Sequence, residues 1–434
     1  MLDSGDWNVE FGRMQIPLAY GRGTLDVELP DDRTTVIEPT YEHGLADERG
    51  ALFVALDAPV ESKPLRQLAL AGKRVTIVHT DITRPMPNDR LIPWLLEYLE
   101  TAGVRREDIT LLNALGTHRP NTREELEQML TAEVVTKYRC VNHEPHNDGA
   151  CVAFGTTRTG VPALINRHLV EADVRIITGF IEPHFFAGFS GGPKGIMPGV
   201  AALKTVQSNH GAHNIGDRRA TFGVTVGNPI WEEMRDIALR IGPSFLVNVT
   251  LNRQRDITGI FAGDLVAAHR KGTEFVRASA MQKVPNLFDV VITTNSGYPL
   301  DMNLYQSGKG MRAAELIVRD GGLIIMAAEC QEGIPAGSPH DQLIRSVPDG
   351  EALLAKLAEP GFSFAEQWAG QIQALIQRRA EVQLHSSLDD ETVRAAHLVP
   401  CPDIVAAVRS RLRSDTRIAV LPQGPLTIPY VANN

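Results

Sequence analysis

VRIITGFIEPHFFAGFSGGPKGIMPG, residues 174–199, is the stretch whose reading decides the fold. Its first seven residues, VRIITGF, form a largely apolar, non-alternating run, the pattern of a strand covered on both faces. The run passes directly into a glycine-rich loop, and in an open α/β sheet ligands sit outside the carboxyl ends of the strands. Working outward, the same punctuation recurs. RVTIVHT (74–80), DITLLNALG (108–116) and FLVNVTL (245–251) read as strands of the same kind. Between them lie helical patterns. NDRLIPWLLEYLETAG is one, with Pro93 an alternative place for its first turn. Another is opened by Thr122, with Glu125 three residues on as a capping box. Asp264 is the expected N-cap of DLVAAHRKGTEFVRA.

A second series follows the polar link MQKVPN (281–286). DVVITTN (289–295) and GLIIMAA (322–328) flank a helical stretch near residues 302–319, and PDIVAAVRSRL (402–412) and TRIAVLP (416–422) close the chain as helix and strand. The expectation is an α/β protein of two domains, each with a mainly parallel sheet flanked by helices, with the active site in the interdomain cleft. Residues 1–282 form the first domain and 283–413 the second, and the terminal strand within 414–434 is allowed to rejoin the first. A length of 434 residues, at roughly 150 residues per domain, suggests two or three domains.

Composition narrows the function. With 43% hydrophobic and 22% charged residues the chain is globular rather than disordered. A net charge of −9 and the lack of a long basic run argue against nucleic acid or an anionic membrane as partner. No apolar stretch approaches the roughly 18 residues that span a bilayer. The acidic start, MLDSGDWNVEFGRM, is not a signal peptide, and four scattered cysteines without a C-x-x-C pair fit a reducing compartment. A cytoplasmic protein is expected.

Four polar clusters fall directly after strands: Asp81 and Arg84 in DITRP, His118 and Arg119 in GTHRP, His184 in GFIEPHFF, and the residues from Asn295 through TNSGYPLDMNLYQSGKG. One such cluster is ordinary turn chemistry. Four at strand ends, two with histidine, suggest one site. In HFFAGFSGGPKGIMPG, Gly188, Gly191 and Gly192 allow backbone N–H groups to approach a ligand. The segment is no P-loop, because Pro193 precedes Lys194 and Gly195 stands where Ser or Thr would hold Mg²⁺. A lysine there suits phosphate or a covalently held cofactor. Tyr305, Gln306 and Lys309 share a helical turn suited to a carboxylate or phosphate. Trp368 is read either as core or as a platform for a flat cofactor, and His143 and His146 as solvated.

DITRP, GTHRP, GFIEPHFFAGFSGGPKGIMPG, SNH and YPLDMNLYQSGKGM, in this order over residues 81–312, resemble the lactate racemase family, enzymes that use a nickel-pincer nucleotide. The resemblance implies a racemase or epimerase that inverts C2 of a 2-hydroxy acid through a bound 2-keto acid. It implies that Lys194 carries the cofactor covalently, in the loop of Gly191 and Gly192, and that His210 completes the nickel coordination. His118 and His184 would be the acid/base pair. Asp81, Arg84, Tyr305, Gln306 and Lys309 would line the substrate pocket, and Trp368 would stack on the cofactor. Cofactor-making proteins would be needed for maturation. Two places depart from the family pattern. Pro193 stands where a basic residue is common, and AECQEGIPAGSPH (328–340), which follows a strand end, differs from the lactate enzymes and leaves the substrate open. Two rival readings are a zinc-dependent hydrolase or lyase using His118, His184 and His210, and a non-catalytic nucleotide-binding homologue.

Overall fold

The computed structural model describes residues 12–431 other than Tyr41 and Leu70, so most of the acidic start read as no signal peptide lies outside them. The chain divides into two compact units. Among the described residues, one comprises 42–210 and 219–279, and the other comprises 12–40, the short segment 211–218 and 280–431.

The first unit is built on a six-stranded sheet, in spatial order Ile257–Asp264, Phe245–Leu251, Val174–Phe180, Val75–Thr80, Ile109–Ala114 and Arg139–Asn142. All pairs are parallel except the first, which is antiparallel. Ile77 is in register with both Leu111 and Ile176, and all three are fully buried. They meet Leu91, Ile92, Leu95 and Leu99 of helix Asn88–Thr101 in one core. Each such side chain contributes roughly 1.5–3 kcal/mol of transfer free energy. The helix begins at Asn88 rather than at Pro93, which lies inside it. Asn88 is tied to the preceding strand, its Nδ2 donating to the Thr80 carbonyl at 3.1 Å, and that anchor sets the start. The capping box of Thr122 and Glu125 is present, and Asp264 Oδ1 accepts from the Val266 and Ala267 N–H groups as the cap of helix Ala267–Ala280.

From Val75–Thr80 the chain steps outward to Ile109–Ala114 and Arg139–Asn142, then crosses back so that Val174–Phe180 lies on the other side of Val75–Thr80. This reversal is the point at which open α/β sheets bind ligands. Asp81 and the His184 loop leave the two strands that flank it.

The second unit holds a six-stranded sheet that is parallel throughout: Val399–Pro400, Glu381–His385, Val318–Ala327, Phe288–Thr294, Ile418–Leu421 and Thr34–Val36. Two expectations are corrected here. The terminal strand does not rejoin the first sheet: Ile418 pairs with Val290 and Val420 with Ile292. Residues 12–40 do not belong with the first domain either. Thr34–Val36 forms the edge next to Ile418–Leu421, and the hairpin Arg13–Tyr20/Gly23–Pro30 places Ile16, Leu18, Val27 and Leu29 in one core with Val290, Ile292 and Leu323. A strand's local pattern carries its burial but not its distant partner.

Helix Leu304–Glu315 packs closely on this sheet because position 310 is glycine. A Cβ there would meet the Thr294 carbonyl oxygen well inside contact distance. Gly310→Ala gains about 1 kcal/mol of helix propensity and loses more through overpacking, typically about 1–3 kcal/mol, against a rigid backbone atom. The urea midpoint is expected to fall, and an increase would contradict this account of the glycine.

Candidate active site

Asp81 follows the last residue of Val75–Thr80 and is 2% exposed. Its Oδ2 lies 2.6 Å from His118 Nδ1, and its Oδ1 accepts from the Thr83 hydroxyl at 2.8 Å. Arg84 Nε approaches the same carboxylate at 4.0 Å, so the guanidinium fork is not consumed by it. Burial pushes the Asp81 carboxyl up, but the His118 hydrogen bond and charge, Arg84 and Thr83 together outweigh it and hold it below the usual carboxylate range. An ionised carboxylate only accepts, so His118 Nδ1 carries the hydrogen, and whenever the ring is neutral Nε2 bears the lone pair. His118 sits in the turn after Ile109–Ala114, its N–H donating to the Leu115 carbonyl, with the side chain 41% exposed. Arg119 is not part of this cluster. It forms a two-point ion pair with Glu125.

The other side of the reversal is built by the loop after Val174–Phe180. Pro183–His184 pairs with Gly188–Phe189 in a minimal hairpin. His184 stacks on Phe185 and meets Phe186 edge-on at 4.5 Å, and Phe186 in turn meets His210 edge-on at 5.0 Å. The Ala187 N–H donates to His184 Nδ1 at 3.3 Å, which leaves the proton of the neutral ring on Nε2. His118 and His184 are thus held with opposite functions at Nε2, a lone pair on one and an N–H on the other.

Lys194 lies in the short turn Gly192–Gly195, partly buried. Gly191 and Gly192 both have positive φ (73° and 55°). A Cβ on Gly192 would lie 2.5 Å from the His269 ring, and one on Gly191 would strike Asn248 Oδ1. The Gly192 N–H donates to that same Asn248 oxygen at 2.7 Å, and His269 Nε2 donates to the Ser190 carbonyl at 2.8 Å. The expected ligand nest is therefore corrected at Gly192, whose N–H is committed to Asn248. These glycines seat the lysine loop against Asn248 and His269. The loop is also joined to the His118 turn, because the Gly116 N–H donates to the Gly199 carbonyl and the Gly199 N–H to the Lys194 carbonyl.

His210 caps helix Leu203–Asn209 and is 4% exposed. Asn209 Nδ2 donates to the Ile230 carbonyl and to Glu233, which orients the amide so that Asn209 Oδ1 accepts from His210 Nδ1 at 2.9 Å. Burial first, then the positive charge of Lys194, lowers His210 to about 3. The ring is neutral near pH 7 and its Nε2 lone pair suits a metal, with Asn209 as the outer partner that fixes the ring.

In the second unit, Asn303 caps helix Leu304–Glu315, accepting from the Gln306 N–H at 3.2 Å. Tyr305, Gln306 and Lys309, all partly buried, lie on its first two turns, and Trp368 is buried at 9% on helix Gln367–Arg379. Asn295 is a tether rather than a site group, taking the Gly310 N–H on its Oδ1. His143 is fully buried between Ala201 and Asn166 rather than solvated. Among the described residues no three His, Cys, Asp or Glu side chains gather as a metal-binding group, which weakens the zinc reading. Sequence reasoning missed Asn248 and His269, which act through distant partners, and gave no role to Asn209 although it lies in the SNH motif beside His210.

Residues 20–223 match the lactate racemase N-terminal domain and residues 283–428 the lactate racemase C-terminal domain. Two proteins named lactate racemase, from Thermoanaerobacterium thermosaccharolyticum and Lactiplantibacillus plantarum, are each 34% identical, covering 94% of this chain and 97% and 98% of theirs. The lactate racemase apoprotein structure from Thermoanaerobacterium thermosaccharolyticum superposes with a TM-score of 0.88 over 96% of this chain and 100% of its own. A Thermotoga maritima protein at 20% identity shares the fold with a TM-score of 0.65, over 90% of this chain and 100% of its own.

Burial lowers His79, His269 and His340 to about 4. Unfolded imidazoles protonate near pH 6.5, so between about 6.5 and 4 the unfolded chain binds more protons and stability falls as pH falls. Each ring should remove about 1 kcal/mol between pH 7 and 5.5. Urea unfolding at the two pH values checks this, and an equal or higher midpoint at pH 5.5 contradicts it.

Proposed function

The chain belongs to the lactate racemase family and is a racemase, and from that premise we propose that it inverts C2 of a 2-hydroxy acid, lactate or a related 2-hydroxycarboxylate, with His118 and His184 as its two proton-transfer groups. The observation that carries this reading is the opposed state of the two rings. His118 offers a lone pair at Nε2 under the hold of Asp81, and His184 offers an N–H under the hold of the Ala187 amide.

Direct removal of the C2 proton beside a carboxylate would build a poorly stabilised dianion. Loss of C2–H as hydride together with the hydroxyl proton avoids this and leaves a planar 2-keto acid. No side chain accepts hydride, so a cofactor is required. The residues present fit a nickel-pincer nucleotide joined to Lys194: a lysine closing a seated loop, and a buried neutral imidazole, His210, with a lone pair suited to nickel. When bound, that group supplies the reversible hydride acceptor, and Trp368 is assigned to stack on it. The protein's own residues do the rest. His118 takes the hydroxyl proton from one enantiomer while His184 keeps its own. Return of hydride to the opposite face is matched by a proton from His184 in its doubly protonated form, which gives the mirror product and leaves His184 neutral and His118 protonated; in the other direction the two exchange roles, His184 as base and His118 as acid. Arg84 meets the substrate carboxylate as a planar fork. Asp81 orients His118 and stabilises it when protonated, as carboxylates do in hydrolase triads. Tyr305, Gln306 and Lys309 are assigned to substrate binding. Maturation by cofactor-making proteins follows from the covalent link. No helix among the described residues is long and apolar enough to cross a membrane, and the four cysteines are free, in keeping with a cytoplasmic enzyme.

His118→Ala and His184→Ala are each expected to cut racemisation in both directions by roughly 10²–10⁴-fold. Each should still form keto acid in a single turnover from one enantiomer, and the two should differ in which. Rapid quench with each pure enantiomer reads this out. Steady racemisation by either variant, or the same preference in both, overturns the pairing.

A second expectation concerns Lys194. Peptide mapping of protein co-expressed with the cofactor-making proteins should show the adduct on this residue, whereas protein made without them is unmodified and inactive. Active enzyme with unmodified Lys194 ends the cofactor assignment.

A further inference from the structure

Phe288–Thr294 and Val318–Ala327 are neighbouring parallel strands, with Thr294 opposite Ala327, so the loops leaving their carboxyl ends lie side by side. The loops are stitched together. The N–H groups of Cys330, Glu332 and Leu304 donate to the carbonyls of Asp301, Met302 and Gly333 at 2.8–3.1 Å. One loop leads into the helix that carries Tyr305, Gln306 and Lys309, and the other into helix Pro339–Arg345, with His340 in its first turn. The His340 ring meets the Tyr305 ring edge-on at 5.6 Å and 83°.

His340 is 2% exposed, and neither of its ring nitrogens has a hydrogen-bond partner among the described residues. Buried polar groups are nearly always paired. Two unpaired nitrogens on one ring, at the end of a sheet where α/β proteins bind ligands, mark a place where the partner comes from outside the chain. The neighbouring Asp341 carboxylate is already engaged by Arg345 Nε at 2.6 Å and the Gly337 N–H at 3.0 Å. Burial holds the imidazole at about 4, so near pH 7 it is neutral and offers one donor and one acceptor. A hydroxyl can meet either nitrogen, accepting from the N–H or donating to the lone pair. A second carboxylate can meet only the N–H, and the methyl of lactate satisfies neither nitrogen.

We propose that His340 is a specificity-determining residue that hydrogen-bonds a hydroxyl on the tail of the substrate, so that this enzyme prefers a hydroxylated 2-hydroxy acid, such as glycerate or a longer sugar acid, over lactate. The proposal rests on the reading above that Tyr305, Gln306 and Lys309 hold the substrate.

The test uses cofactor-loaded wild type, His340→Leu and His340→Gln with lactate and glycerate. Racemisation is followed by chiral chromatography, and binding of both acids by calorimetry. Wild type should favour glycerate in kcat/KM. His340→Leu should lower the glycerate-to-lactate ratio by roughly tenfold or more, and His340→Gln, which keeps a donor and an acceptor, should retain most of it. Without substrate, His340→Leu should melt no lower than wild type, because it removes unpaired polar atoms from a buried position. An unchanged ratio, a wild type that favours lactate, or a lower melting temperature for His340→Leu overturns the proposal and leaves the racemase reading standing. If wild type interconverts neither acid, the racemase reading fails. Binding then decides the present proposal: tighter glycerate binding that is lost in His340→Leu supports it, and equal binding of the two acids overturns it.

Discussion

An imidazole serves as a base only at the nitrogen that does not hold the proton, so the decisive constraint in this protein is what sits behind each ring. Behind His118 is Asp81, a buried carboxylate that can only accept and therefore keeps the hydrogen on Nδ1. Behind His184 is a backbone N–H, which can only donate and therefore keeps the lone pair on Nδ1. The two rings face their surroundings with opposite chemistry although they are the same residue type. The sheet supports this arrangement. Asp81 and the His184 loop leave adjacent parallel strands on either side of the reversal in strand order, and His118 leaves the next strand along.

The lysine loop depends on a different kind of constraint. Gly191 and Gly192 occupy backbone conformations and spaces that a side chain would not tolerate, with Asn248 and the His269 ring filling the room a Cβ would need. A glycine-rich loop suggests flexibility, but here the glycines let the backbone settle against two fixed partners. That seating holds Lys194 near the buried His210, whose ring is kept neutral by burial and by the lysine's own charge. A neutral buried imidazole beside an amine is a poor proton carrier and a good metal donor.

Much of this was legible in the chain. The runs VRIITGF and FLVNVTL became strands with the expected bounds, and the Thr122–Glu125 box and the Asp264 cap are local signals with local causes. The clusters around Asp81, His118, His184 and Lys194 stand out in the chain because strand ends are recognisable. What the sequence hid is long-range. The edge position of Thr34–Val36, the place of Ile418–Leu421 in the second sheet, and the Asn248 and His269 supports all depend on partners far along the chain. His340 ends the AECQEGIPAGSPH stretch but shows no grouping with other site residues in the chain, and only the packing shows both nitrogens buried and unpaired. The alternative start at Pro93 was a local question. Proline marks a first turn often enough, but the Asn88 anchor to Thr80 started the helix earlier.

The central claim is that two histidines stand ready in opposite tautomers, and the direct measurement is the ¹⁵N spectrum of histidine-labelled protein at neutral pH, with His118→Gln and His184→Gln used to assign the two rings. The account predicts that neutral His118 carries its proton on Nδ1 and neutral His184 on Nε2, and that Asp81→Asn releases only the first. The same tautomer in both rings, or a His118 tautomer indifferent to Asp81→Asn, would contradict it.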